Sequence, residues 1–435
     1  MAGKPVHETI ETLSPFMEPG DLIIDAGNEN YANSIRHARS LSSKGIGFLD
    51  MFLSGGQSGA RHGPCLMIGG SRELYETVSD LLVSCSAEFK GTPCCAYVGS
   101  TGTANFLKSV HNGLEYAEEE LLAEVYDVMK RGLNMRNEEV ASVFSSWNEG
   151  DLASYLLEIT STILLRNDDL QANFMGGQND HCLDAILDKI RSRNSGRRAV
   201  QDAAEQSVPT PSISAALDVR YLSSIKHERV AASKILEGPS MASLEDVVSN
   251  KSELLECLRQ AFYASKICCF AQAFDLIRST SNRMGWNIKL SEVARTLRGG
   301  CIVRCRLLEK IYTTYEENPD LSNLMLATDF VNLLNQNSDR WRTILLVCVN
   351  NGIPTSALGS SLSYFDSYRR KSLPANLTQA HRDYFGGHTF ERVDRDGTFH
   401  CAWTEAHKDL GELAERKLGE NLVAQGLDLK EVPPQ

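Results

Sequence analysis

The first hundred residues alternate short apolar runs with longer amphipathic segments. The apolar runs "GDLIIDAGN", "IGFLDMFLSG" and "CCAYVGS" each predict a strand. Polar and apolar residues recur at helical spacing in "PVHETIETLSPFM", in "YANSIRHARSLSSKG", which Gly45 closes, and in "SRELYETVSDLLVSCS". Strands separated by helices of about ten to fifteen residues favour right-handed βαβ crossovers and a parallel sheet.

After Gly102 the pattern becomes helical and stays so to about residue 370, with few strand signals. The stretches "GLNMRNEEVASVF", from Gly132, and "GWNIKLSEVARTL", from Gly285, align without gaps and match at Gly, Asn, Glu, Val and Ala. We interpret them as halves of a duplicated helical unit, with chance similarity between two amphipathic helices as the alternative. The predicted organisation is an α/β domain over 1–101, an all-helical domain over 102–370 and a tail over 371–435.

Composition narrows the class of protein. A chain of 435 residues exceeds what one hydrophobic core usually serves, so more than one domain is expected. The net charge of −12 argues against a nucleic-acid surface, which needs clustered Lys and Arg. The N-terminus lacks the apolar segment of a signal peptide, and no run of eighteen apolar residues occurs. We therefore expect no membrane partner and a cytoplasmic location.

The twelve cysteines follow no metal-binding spacing, and no CxxC occurs. Scattered cysteines with apolar neighbours are typical of buried thiols in a reducing compartment. We predict no metal site.

The stretch "NFLKSVHNGLEYAEEELL", residues 105–122, places unusual chemistry on a predicted helix. Lys108, His111, Asn112 and Glu115 stand at i, i+3, i+4 and i+7 and share one face, with Tyr116 one position round. Such a face suits the floor of a substrate pocket. The lysine is a base only if burial or nearby positive charge destabilises its ammonium, and the glutamate is an acid only if its pKa is raised. The alternative is an exposed stripe of ion pairs.

Two stretches near predicted strand ends suit ligand binding. In "LSGGQSGARHGPCLMIGG", Gly55 and Gly56 let backbone amides approach an anion beside the Ser54 hydroxyl, although a plain turn is the alternative. In "IDAGNENY", Asn28 follows a strand, where open parallel sheets bind ligands.

Two further stretches concentrate cations. "RSRNSGRR" holds four arginines in eight residues, which indicates either a solvated charge run or a phosphate clamp. "RDYFGGHT" carries Arg382 and His388 in a tail with little core of its own, which predicts that the tail docks on another body.

Together with "LSSIKHERVAASKILEGP", "YASKICCFAQAFDLIR", "RGGCIVR" and "LPANLTQAHRDYFGGHTFE", these stretches resemble the 6-phosphogluconate dehydrogenase family, in order from residue 1 to about 404. The resemblance implies a Rossmann-type NADP-binding domain, a large duplicated helical domain that forms a homodimer, and a tail that threads into the partner subunit. The implied reaction is the NADP-dependent oxidative decarboxylation of 6-phosphogluconate to ribulose 5-phosphate and carbon dioxide.

The resemblance also implies roles for individual residues. Lys108 would be the catalytic base and Glu115 the acid, and Asn28 would lie near the nicotinamide. Arg382 and His388 would bind substrate across the subunit interface. The remaining implied substrate-binding residues are Ser54, Gly55, Gly56, His111, Asn112, Tyr116, Arg193, Ser195 and Arg220.

The chain departs from the family in three places. It has no GxGxxG turn, so we expect the family's first βαβ unit to be missing and the Rossmann-type domain to be partial. Its loop "SRNSG" stands where the family has "QKGTG", so that Arg193 and Ser195 replace a lysine and a threonine while keeping phosphate-binding chemistry. A charged, helix-like end, "ELAERKLGENLVAQGL", replaces the family's Gly/Ser-rich end.

These departures leave alternatives open. The chain could be a truncated, catalytically impaired member of the family or a non-catalytic dimeric scaffold. A related β-hydroxyacid dehydrogenase acting on a smaller acid is a further alternative, against which the phosphate-type residues Arg193, Arg220 and Arg382 argue.

Overall fold

The computed structural model describes residues 2–169, 181–191, 195–239 and 250–404. The chain divides into two compact units, residues 1–365 and 366–435.

The first unit begins with a four-stranded sheet of strand order β1-β2-β3-β6. Its strands are β1 (Leu22–Asp25), β2 (Gly47–Ser54), β3 (Cys65–Gly70) and β6 (Cys95–Gly99). Strand β1 runs parallel to β2, and β3 runs parallel to β6, but β2 and β3 are antiparallel. The three strands predicted from the sequence are therefore confirmed, and the sheet is mixed.

The prediction of a wholly parallel sheet is wrong because the glycine-rich stretch after β2 is more than a loop. It contains the seven-residue helix α3 (Gly56–His62) and the fully buried strand β3. A parallel connection needs a crossover of about a dozen residues or more, so this short one returns the chain antiparallel. A two-stranded hairpin, β4 (Glu88–Phe89) and β5 (Thr92–Pro93), precedes β6.

The helices beside the sheet form where the pattern predicted them. They are α1 (Lys4–Leu13), α2 (Tyr31–Ser42) and α4 (Arg72–Cys85). The side chain of Asn30 caps α2 by accepting from the Ala32 amide, and Ser71 caps α4 by accepting from the Leu74 amide.

The rest of the first unit is helical, as the sequence predicts. Its helices are α5 (Thr103–Asp127), α6 (Asn137–Asn148), α7 (Tyr155–Leu165), α8 (Cys182–Ala185), α9 (Ser195–Gln206), α10 (Pro211–Ser224), α11 (Lys226–Ala232), α12 (Lys251–Met284), α13 (Leu290–Thr296), α14 (Leu307–Glu317), α15 (Thr328–Asn350) and α16 (Ser356–Tyr368). A short π-helix, Val128–Gly132, follows α5 directly.

Helix α5 is the central element of this unit. It contacts strands β2 and β3 and helices α9, α10 and α12. Its acids bond to other helices: Glu118 pairs with Lys266 of α12, both side chains being nearly inaccessible to solvent. Glu124 accepts from the amides of Ala357 and Leu358, at 2.7 and 2.8 Å, where α16 begins. The single helix α5 therefore connects the sheet to α12 and to the start of α16.

The two sequence stretches interpreted as a repeat share a backbone feature. Asn134 and Asn287 both take left-handed conformations, with φ of 48° and 55°, after long helices. Asparagine tolerates this region better than most residues. The matched asparagines thus occupy equivalent turns, while the duplication and the boundaries 1–101, 102–370 and 371–435 stay predictions.

The second unit contains helix α17 (Ala375–Gly386) and the hairpin of β7 (Phe390–Glu391) and β8 (Thr398–Phe399). It is organised around Asp383, whose carboxylate accepts from the Thr389 and Cys401 amides, the His400 ring and the Trp403 indole. The charged segment predicted to be helical near the C-terminus lies outside the described residues.

Among the helices described, none is long and apolar enough to cross a membrane.

Candidate active site

The polar face predicted on α5 lies against the sheet and not in bulk water. His111 is 4% exposed and Asn112 is 6% exposed. The side chain of Glu115 is 23% exposed. The alternative of a solvated ion-pair stripe is therefore wrong. The N-terminus of α5 is fixed by the buried Asp50 carboxylate of β2, which accepts from the Gly102 and Asn105 amides.

Lys108 is half-buried where α5 packs on β2. Its ammonium lies 5.1 Å from the centre of the Phe52 ring, which projects from β2. Burial lowers the pKa of Lys108, and the nearby Glu115 carboxylate opposes part of that shift. The neutral amine that a general base requires is thus more accessible here than in water.

Glu115 is shifted in the opposite direction. Burial, reinforced by the negative charge of Glu119, raises the pKa of Glu115 from 4.5 to about 7, while Lys108 and Arg220 oppose the shift. A carboxyl group with this pKa is available as an acid near neutral pH. One helical face thus carries an amine and a carboxyl group whose pKa values are moved toward each other.

His111 is neutral and connects the helix to the turn after β2. Its Nε2 lies 3.2 Å from the Ser54 hydroxyl, and its Nδ1 lies 3.4 Å from Oδ1 of Asn112 and 3.7 Å from Glu115. Burial and the nearby Lys108 charge hold the pKa of His111 well below its usual value. The ring is therefore a polar partner that does not add a second positive charge.

The two glycines of the Ser54-Gly55-Gly56 turn serve different purposes. Gly55 has a φ of 134°, and a Cβ there would lie 2.5 Å from the Gly300 carbonyl oxygen. Its missing side chain permits close packing within the chain, a purpose that the sequence analysis did not foresee. Gly56 has a φ of 60°, and a Cβ there would meet nothing closer than 3.9 Å. Only the second glycine leaves open space for a ligand.

Asn28 lies beside the α5 face. Its Oδ1 accepts from the Asn112 amide at 3.5 Å, and its backbone carbonyl accepts from Arg198 of α9. Arg198 also lies 4.0 Å from the fully buried carboxylate of Glu29. These contacts fasten the loop after β1 to α9. The residues that line the narrow cleft at this point are Asn28, Glu29, Asn105, Lys108, Ser109, Asn112, Ser195 and Arg198.

Arg198 and Glu29 were not singled out from the sequence. The signal for Arg198 was the arginine-rich stretch "RSRNSGRR", and the structure directs this arginine to the Asn28 loop. Glu29 had no signal of its own, because an acid next to an asparagine in a loop is common. The contact between Arg198 and the Asn28 loop joins residues 170 positions apart, and the local sequence pattern does not indicate contacts of that range.

The residues expected to bind phosphate converge at the other end of the α5 face. The Tyr116 hydroxyl lies 3.5 Å from the Ser195 hydroxyl. The guanidinium of Arg220 stacks on the Tyr116 ring at 3.5 Å and bonds to Glu119. Arg193 lies outside the described residues.

Arg382 and His388 belong to the second unit, where both side chains are exposed. Arg382 contacts Gln379 one turn earlier at 3.3 Å. Asp383 is buried between them and ties α17 to the segment that carries His388. In the described ranges, no group of three His, Cys, Asp or Glu side chains is arranged to hold a metal ion.

Comparison with known proteins gives matches over almost the whole described chain. A family model described as the NAD binding domain of 6-phosphogluconate dehydrogenase matches residues 1–99, and one described as the C-terminal domain of that enzyme matches residues 104–403. The decarboxylating 6-phosphogluconate dehydrogenase 2 of Arabidopsis thaliana is 45% identical over 404 residues, which cover 92% of this chain and 82% of the relative.

A bacterial relative and a solved structure agree. The decarboxylating 6-phosphogluconate dehydrogenase of Shigella flexneri is 40% identical over 405 residues, covering 93% of this chain and 84% of the relative. The 6-phosphogluconate dehydrogenase of Plasmodium falciparum, solved alone, with NADP+ and with 6-phosphogluconate, superposes with a TM-score of 0.84 at 38% identity. That match covers 93% of this chain and 85% of the other.

Proposed function

Because this chain belongs to the 6-phosphogluconate dehydrogenase family, we propose that it oxidises and decarboxylates 6-phosphogluconate to ribulose 5-phosphate and carbon dioxide with NADP. The observation that carries the proposal is the pairing of Lys108 and Glu115 on one buried helical face. Their pKa values are shifted in the directions that a general base and a general acid need.

Lys108 would act first, by accepting the proton of the carbon-3 hydroxyl as that carbon is oxidised. The burial of Lys108 supports this role, because removal from water disfavours the ammonium form. The 3-keto acid formed in this way loses carbon 1 as carbon dioxide, since the ketone accepts the electron pair of the breaking bond.

Glu115 would act last, by giving a proton to the former carbon 2 of the substrate, which becomes carbon 1 of ribulose 5-phosphate. Its carboxyl group lies two helical turns from Lys108, so the two groups reach opposite parts of a bound sugar acid. Their mutual Coulomb interaction means that loss of charge at one group changes the proton affinity of the other.

We propose that Ser54, His111 and Asn112, with the backbone at Gly55 and Gly56, hold the carboxylate and hydroxyl groups of the substrate. The hydrogen bond between Ser54 and His111 fixes both side chains before substrate binds. Tyr116, Arg193, Ser195 and Arg220 would hold the phosphate, in which case the sugar acid lies along the α5 face.

NADP supplies the hydride acceptor for the first step when it is bound. The side-chain amides of Asn28 and Asn112, which offer both donors and acceptors, fit the carboxamide of its nicotinamide end. The 435 residues contain no GxGxxG turn of the kind that binds a dinucleotide pyrophosphate.

We further propose a homodimer in which Arg382 and His388 of one subunit complete the phosphate and hydroxyl contacts of the other. Their exposure in the second unit supports this, because free donors on a small unit suit a partner's ligand. A reducing, cytoplasmic location is proposed from the twelve free cysteines, most of which are buried.

The test is a coupled measurement of NADPH absorbance and carbon dioxide release with 6-phosphogluconate and NADP. We expect equal amounts of both products, and no reaction with gluconate, which lacks the phosphate. Lys108→Ala serves as the matched control for contaminating activity. A folded chain that forms neither product would overturn the proposal.

A further inference from the structure

Among the described residues, the side chains of Tyr116 and Glu119 contact the guanidinium of Arg220, and they differ in how firmly they are held. The ring of Tyr116 stacks on the guanidinium at 3.5 Å, and both residues are buried. The second partner, Glu119, pairs with Nη2 of Arg220, but the Glu119 side chain is 41% exposed, whereas that of Arg220 is 9% exposed. One partner is fixed, and the other is at the solvent boundary.

The ion pair occupies the edge of Arg220 that an anionic ligand would need. Guanidinium groups bind carboxylates and phosphates through the same planar array of N–H donors. A carboxylate already on those donors must leave, or share them, before a phosphate can bind. Glu119 can leave because its side chain is 41% exposed, so that water can solvate the carboxylate once the ion pair is broken.

We infer that Glu119 sets the affinity and selectivity of the site for phosphorylated substrates by competing with the phosphate for Arg220. The inference rests on the proposed role of Arg220 as a phosphate ligand. Glu119 acts here as a specificity residue and takes no part in proton transfer.

The competition favours some anions over others. A phosphate near neutral pH carries close to two negative charges and three acceptor oxygens, so it can displace a single carboxylate. A singly charged sugar acid or inorganic anion offers Arg220 no more than Glu119 already does. Among the anions that bind at Arg220, a singly charged one is therefore disfavoured relative to a phosphate, because either must break the ion pair with Glu119.

The guanidinium stays in place when Glu119 leaves, because its position is set by burial and by the Tyr116 ring. Removing the Glu119 charge should therefore expose a prepared anion site without disordering it. Glu120 provides a matched control. Glu120 stands next to Glu119 on α5, and the positive charge of Arg220 acts to lower its pKa. The ion pair of Arg220, however, is made by Glu119.

The experiment is a calorimetric titration of the full chain with inorganic phosphate, 6-phosphogluconate and gluconate. Glu119→Gln should bind inorganic phosphate about fivefold more tightly than the parent chain, as loss of a competing, partly exposed ion pair predicts. It should also bind 6-phosphogluconate more tightly, whereas its affinity for gluconate, which has no phosphate to place on Arg220, should be unchanged. Glu120→Gln should stay within about twofold of the parent, since it removes a neighbouring charge but no contact.

Arg220→Gln separates this inference from the proposed function. If Arg220→Gln weakens phosphate binding at least about tenfold while Glu119→Gln leaves it unchanged or weaker, the competition is refuted and the phosphate role of Arg220 stands. If Arg220→Gln has no effect, both fail. Circular dichroism checks that each variant is folded, and Glu119→Ala replaces Glu119→Gln should the latter not fold.

Discussion

Replacing Glu115 by glutamine tests the acid role most directly, because the two side chains are nearly equal in size and only one can give up a proton. The pKa of Glu115 is raised to about 7. At pH 7 about half of the molecules then carry the acid form, compared with about 0.3% for an unperturbed carboxyl group with a pKa of 4.5. Burial thus enlarges the reactive population by about 150-fold.

The expected loss follows from that role. General acid catalysis contributes about 100-fold to 10,000-fold, so Glu115→Gln should lower kcat by a factor in this range. The pH profile should change shape as well. Because the group must be protonated to act, kcat of the parent chain should fall as pH rises through the Glu115 pKa, and the variant should lack this falling limb. The rising limb, which reflects neutralisation of Lys108, should remain.

The assay is steady-state NADPH formation across pH, with carbon dioxide release measured in parallel. Glu120→Gln is the matched control, because Glu120 lies on the same helix and burial raises its pKa to about 7 as well. Its variant should keep the falling limb. A Glu115→Gln protein with kcat within tenfold of the parent and an unchanged limb would refute the assignment of Glu115 as the acid.

Four further outcomes are expected. Lys108→Ala should abolish turnover while thermal unfolding and the sedimentation coefficient stay unchanged; residual oxidation well above background would contradict the base role. Lys266→Met should lower the free energy of unfolding in urea by about 3–5 kcal/mol, because it leaves the buried Glu118 without its partner, and adding Glu118→Gln should restore most of the loss. Arg198→Met should raise KM for NADP more than KM for substrate, since it frees the loop after β1; equal changes would argue against that link. Arg382→Ala should weaken 6-phosphogluconate binding by about 1.5–3 kcal/mol. Mixed with Lys108→Ala subunits, it should regain activity if the arginine acts across the interface, and mixing without any recovery would place it in its own subunit.

The α5 face could be predicted from the sequence because helical periodicity alone brings its residues together. Lys108, His111, Asn112 and Glu115 stand at i, i+3, i+4 and i+7, and this spacing fixes a shared face whatever surrounds it. The periodicity could not say which way the face points. Its burial depends on Phe52 and on the turn at Ser54, which come from a strand more than fifty residues earlier.

The sheet was harder to predict. Strand β3 was hidden by the glycines and the proline around it, and its six buried residues end in Gly69 and Gly70. A Cβ at Gly69 would lie 2.7 Å from both Asp50 and Thr103, so this glycine is required by the packing of α5 on the sheet and not by a turn. Composition rules assign such a stretch to a loop, because they do not include the elements that will pack against it.

The ion pairs at the site could also not be predicted from the sequence. Glu119 and Glu120 are adjacent acids on one helix, and nothing in the local pattern distinguishes them. Only the position of Arg220, on another helix, gives one of them a contact and leaves the other without it.

The way α5 is built in has a practical consequence for anyone storing or engineering this protein. Helix α5, which carries the reactive groups, is also bonded to α12 through Glu118 and to the start of α16 through Glu124. Stability on storage and catalytic activity therefore both depend on the packing of α5. Substitutions that raise thermal stability without lowering activity are therefore expected mostly at positions far from α5. The catalytic activity that remains after storage should report the fraction of protein that is still folded.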